Sequence, residues 1–179
     1  MKRILIATTV GLAMLSAGCS GTSGNANPTP TGGSTPTSNS NADQTSGLKD
    51  AKPCDLLAES EVTGLGLKYP GKPKQVGTAN SCDWAISGNG GLQVGIRTDS
   101  GVKALNLDGD KITQTKVGKY DATKVEAPDG AKSACTFAIA VSESSSVVVI
   151  GNLTTTSDDT AAACDRASKA AELIAPKLP

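Results

Sequence analysis

Histidine is missing from all 179 residues, and with it go the usual general base, the commonest metal ligand and the side chain that titrates near neutral pH. Hydrolase triads built on histidine are excluded. Aromatic residues are scarce: Tyr69, Trp84, Tyr120 and Phe137 are the only ones, too few to fill a core with large rings or to line a surface with stacking platforms. An excess of either charge is lacking as well, since 17 Lys+Arg meet 17 Asp+Glu. No nucleic-acid footprint is expected from that balance. What is present is ordinary for a folded domain: 37% hydrophobic residues, to which 20 glycines add.

The longest uncharged apolar run is at the front. Lys2 and Arg3 precede residues 4–17, which carry no charge and close on Leu15, Ser16, Ala17, Gly18 and Cys19. A run of this length is an h-region rather than a spanning helix, and small residues before a cut admit a signal peptidase. A cysteine directly after Ala17-Gly18 predicts a lipoprotein signal peptide over 1–18, with Cys19 as the lipidated residue. Leu15 stands four residues before that cysteine, one further than in the commonest lipobox. A diacylglyceryl group brings two acyl chains, the number needed for stable anchoring, so the expected location is the extracytoplasmic face of the cell membrane. Cleavage would remove Lys2 and Arg3 and leave 15 Lys+Arg against 17 Asp+Glu, a net charge of −2.

Residues 19–48 read as a tether. After Cys19 almost every residue is Ser, Thr, Gly, Asn or Pro, with Asp43 the one charge and nothing apolar larger than Ala before Leu48. Such a composition cannot bury a core, and random-coil scaling gives it a reach of about 30 Å. Residues 49–179 have the size of one domain. Within them, residues 50–65 predict a helix, with Asp50 as cap, Pro53 in the first turn and Cys54, Leu57, Ala58, Val62 and Leu65 on one face. The period then changes to two. Cys82, Trp84 and Ile86 alternate, a Gly-rich turn follows at 88–91, and Leu92, Val94 and Ile96 alternate again. Residues 112–117 and 122–125 flank Gly118 as a weaker strand pair. Cys135, Phe137, Ile139 and Val141 lead to 147–150, whose four β-branched residues predict a central strand buried on both faces. Asp158 or Asp159 caps a last helix with Cys164, Ala167, Ala171 and Ile174 as its stripe and Pro176 as its stop. The expected fold class is α+β, an antiparallel sheet with N-terminal and C-terminal helices packed on it.

With Cys19 assigned to lipid, Cys54, Cys82, Cys135 and Cys164 remain, an even number in an oxidising compartment. None is spaced C-x-x-C, which argues against zinc. Two disulfides are expected. Of three connectivities, Cys54 to Cys82 and Cys135 to Cys164 is preferred, because each pair ties a terminal helix to a neighbouring strand.

Pro53-Cys54-Asp55-Leu56-Leu57, Cys82-Asp83-Trp84, Val117-Gly118 with Ala122, Cys135, Cys164 with Ala167, Ala170 and Ala171, and Leu178-Pro179 together resemble the actinobacterial lipoprotein family known as domain of unknown function 3558. The resemblance spans nearly the whole domain. It implies a secreted, lipid-anchored envelope protein and carries no reaction.

Several fragments imitate chemistry and lack its context. Residues 66–72 spell G-x-x-x-x-G-K, but Pro73 stands where magnesium binding needs Ser or Thr. Ser100 and Lys103 fit S-x-x-K without the partner motifs of serine penicillin-binding enzymes. Asn106, Asp108 and Asp110 space oxygens like a calcium loop, yet Lys111 replaces its glycine and Val117 its bidentate acid. Lys68, Lys72 and Lys74 form a short basic loop that is either a solvated edge or an attractor for anionic headgroups or wall polymers. Trp84, beside a disulfide cysteine on an alternating strand, reads as core. Elimination by residue type predicts a non-enzymatic domain without cofactor or metal that binds an envelope protein or small ligand and no nucleic acid. The alternative is an enzyme using carboxylates such as Asp55, Glu59 or Asp83 on an envelope polymer.

Overall fold

Alternating apolar positions assemble one antiparallel sheet in the computed structural model, which describes residues 48–179. The expected signal peptide, Cys19 and the tether up to residue 47 lie outside the described residues. The strands are β1 (Lys72–Val76), β2 (Ala79–Ala85), β3 (Gly91–Arg97), β4 (Gly109–Val117), β5 (Tyr120–Pro128), β6 (Ala134–Ala140) and β7 (Ser146–Asn152), in the order β1-β2-β3-β7-β6-β5-β4. Hairpins join β1 to β2, β2 to β3, β4 to β5, β5 to β6 and β6 to β7, so only the passage from β3 to the far edge at β4 is long. That passage holds a 3-10 turn at Val102–Ala104 beside β6 and is tied down by Ser146 Oγ, which donates to Ser100 O at 2.7 Å.

Register fixes which residues share a face. Cys82 pairs with Val94, Val94 with Val149 and Val149 with Phe137; one step along, Ile96, Val147 and Ile139 align in the same way. These residues are buried, and the helical elements pack over them. The C-terminal helix, here α2 (Thr160–Ile174), buries Ala163, Cys164, Ala167, Ala170, Ala171 and Ile174 against β6 and β7. Asp159 caps it by accepting the Ala162 N–H at 2.9 Å. The small stripe lets helix and sheet approach closely: a Cβ on Gly151 of β7 would stand 2.4 Å from Ala163 O.

The N-terminal helix expected over 50–65 is not formed as one element. A 3-10 turn at Pro53–Leu56 is followed by extended Leu57 and Ala58, and only then by the short helix α1 (Glu59–Gly64). The extended step delivers both Leu56 and Leu57 to the core, while Glu61 restarts the helix by accepting the Ala58 N–H at 2.7 Å. Lys177 braces the break, pairing with Glu61 and donating to Leu56 O at 2.8 Å. Both expected disulfides are present: Cys54–Cys82 joins the 3-10 turn to β2, and Cys135–Cys164 joins β6 to α2.

Strand β7 is central, as 147–150 predicted, but it is not buried on both faces. Val147 and Val149 are fully enclosed, whereas Val148 and Ile150 are half-buried, because both helical layers lie on one side of the sheet. On the other side the register runs Lys72, Asp83, Gln93, Ile150, Thr136, Val125, Ile112 across all seven strands. That row begins cationic and ends apolar.

Candidate functional site

The basic residues singled out in the sequence meet in one cleft. Lys72 and Lys74 project from β1 on the side of the sheet away from α2, next to Asp83 of β2 and Gln93 of β3. Lys68 joins them from the loop after α1, which is fastened over the end of β2 by its N–H donating to Ala85 O at 2.9 Å. Gly90, Gly91 and Asn152 close the far wall, giving a cleft of about 550 Å³. Lys74 pairs with Asp83 at 3.2 Å, and no ion pair holds Lys68 or Lys72 among the described residues. Three ammonium groups thus face one carboxylate. Asp83 Oδ1 is covered and accepts no hydrogen bond, which leaves this carboxylate without full compensation inside a cationic setting.

The wall of the cleft has its own support. Arg166 of α2 donates through one guanidinium nitrogen to Asn89 O at 2.9 Å, to Gly91 O at 3.4 Å and to Asn152 O. It ties the β2–β3 turn to the end of β7, and burial pulls its pKa down from the ordinary arginine value. Sequence reasoning did not find Arg166, Gln93 or Asn152. Arg166 is one of four charged residues on its helix, with Asp165, Lys169 and Glu172, and nothing in its spacing signals three carbonyl partners in other elements.

The remaining sequence candidates are dispersed. The 66–72 segment follows a helix instead of preceding one, with Gly66 at φ 72° and Lys72 already in β1, so it cannot present a helix N-terminus to a phosphate. Ser100 Oγ donates to Asp99 Oδ1 at 3.3 Å and makes no hydrogen bond with Lys103. Asp108 Oδ1 accepts the N–H of Gly109 at 2.9 Å, and among the described residues no group of three His, Cys, Asp or Glu converges as a metal site. Trp84 is 1% exposed. Its ring rests on Gly71, where a Cβ would come within 2.5 Å of both Trp84 Nε1 and Cys82 Sγ, and Nε1 has no acceptor. Of the three acids offered as catalytic, Asp83 lines the cleft, while Asp55 sits on the 3-10 turn and Glu59 in the first turn of α1.

A disulfide-stapled antiparallel sheet with one basic cleft defines the class of domain. The family model described as "Protein of unknown function (DUF3558)" matches residues 14–177, and the chain belongs to that family. No curated protein and no solved structure matches the chain.

Proposed function

We propose that this protein is a lipid-anchored lipoprotein of an actinobacterial envelope whose domain binds a partner protein or small ligand without converting it. The observation that supports binding is the cleft itself: Lys68, Lys72 and Lys74 from loop and edge strand converge on a concavity of ligand size. Anchoring rests on the sequence around Cys19, and the family match begins at residue 14, ahead of that cysteine. A tether of Ser, Thr, Gly, Asn and Pro then gives the domain reach from the membrane.

The enzyme reading keeps one specific support, Asp83 in the cleft beside a lysine. Hydrolysis by paired carboxylates needs a second acid at about 5–9.5 Å, and neither Asp55 nor Glu59 lines the cleft with Asp83. Binding is therefore favoured. The experiment incubates the purified full chain with peptidoglycan, wall polysaccharide and envelope lipid extracts, followed by mass analysis. Saturable retention of one component with its mass unchanged is the expected result. Turnover that disappears in Asp83→Asn while folding is kept would replace the binding module with an enzyme.

A further inference from the structure

The geometry points to a ligand class for the cleft: a phosphate ester of a polyol, its phosphate between Lys68 and Lys72 and its hydroxyls on Asp83, Gln93 and Asn152. This inference rests on the binding-module reading. The cleft carries more cations than it uses internally, because Lys74 is engaged by Asp83 while Lys68 and Lys72 are paired with no carboxylate among the described residues. Lysine ammonium groups bind phosphate as point charges without demanding one orientation. Two of them on adjoining segments suit an oxyanion that enters from solvent.

The neighbours narrow the ligand further. Gln93 and Asn152 offer carboxamides that both donate and accept, and Asp83 accepts from hydroxyl groups; together they match a polyhydroxylated body. The Asp83 carboxylate repels added negative charge, which works against pyrophosphate or a nucleoside triphosphate. The residues lining the cleft give a nucleobase no stacking face, since their one aromatic, Trp84, is buried in the core, and the exposed Tyr69 is not part of that lining. A simple charged patch would have none of this discrimination.

Polyol phosphates occur free as monoesters and in lipid headgroups as diesters, and both present a phosphate oxyanion beside hydroxyl groups to the cleft. Calorimetric titration of the detergent-solubilised full chain with glycerol 1-phosphate and with myo-inositol 1-phosphate tests the free form. Flotation of the full-chain Cys19→Ala variant, which lacks the acyl anchor, with vesicles of phosphatidylglycerol or phosphatidylinositol in phosphatidylcholine, against phosphatidylcholine alone, tests the lipid form. Saturable binding in either arm, weakened about tenfold by Lys68→Ala or Lys72→Ala and unchanged by Lys103→Ala, is expected. Circular dichroism checks that the variants fold, which exposed lysines should not disturb. Three results would overturn the assignment: no binding in either arm, binding indifferent to Lys68 and Lys72, or inorganic phosphate and pyrophosphate binding as tightly as the polyol esters. Capture of some other envelope component in the retention experiment would then leave the binding-module reading standing, whereas release of phosphate from the ester would remove that reading and keep the site.

Discussion

At Gly151 the backbone of β7 lies directly under α2, with Ala163 O 2.4 Å and Ala167 N 2.8 Å from where a Cβ would be. The contact is backbone to backbone, so no flexible side chain can yield. Gly151→Ala is expected to lower stability by about 1–3 kcal/mol through overpacking, seen as an earlier urea midpoint with an unchanged slope. Arg166 has a different task at the same end of the sheet. Arg166→Ala strands three carbonyls and is expected to cost about 1–2 kcal/mol, with faster amide hydrogen exchange at Asn89, Gly90 and Gly91 than elsewhere in the sheet. Glu61 ties stability to pH. The hydrogen bond from Lys177, aided by the Ala58 N–H, holds its carboxyl below the usual value of 4.5. A carboxyl whose pKa is depressed by folding stabilises the native state above the unfolded value and loses that contribution as pH falls through the folded one. Unfolding free energy should therefore decline on acidification below about 4.5, and the part due to this residue should be absent in Glu61→Gln; an identical acid limb in the two proteins would refute the linkage.

Elements differ in how plainly the sequence announced them, and the difference is physical. Strands β2, β3 and β7 alternate because one of their faces is buried more deeply than the other, and α2 shows its stripe for the same reason, whereas β6 is buried on both faces and alternates only in side-chain size. Strand β1 gave no such signal: all five residues are exposed, two are lysines, and Pro73 is tolerated because an edge strand leaves one row of N–H groups unpaired. The apolar face drawn over 50–65 failed because Cys54 is held by Cys82 and Leu56 and Leu57 are both buried, demands that the extended step at Leu57 and Ala58 meets. The site was half legible. Its lysines stood together in the chain, but Gly90 with Gln93 and Asn152 come from two other stretches and are joined only by strand order. The two disulfides, with sequence separations of 28 and 29, each restrain the unfolded chain by about 3.5 kcal/mol in the chain-entropy model. Reduction is expected to lower the melting temperature sharply, since a core with few large rings has little to spare.

For the whole molecule the decisive experiment on location is Cys19→Ala. The variant is expected in the soluble fraction, and mass spectrometry of the native protein should show a lipid-modified N-terminal peptide; a variant that stays with the membrane would refute the anchor. A domain held from its N-terminal side feels any pull along that direction at Cys54, and the covalent link to Cys82 passes the load straight into β2. Residues 55–81 form the closed segment between these two cysteines, and all three cleft lysines lie within it. Tension between membrane and a ligand held by Lys68 and Lys72 enters that segment at the lysines and leaves it through the Cys54–Cys82 junction, so the segment can be drawn out no further than the sulfur–sulfur bond allows.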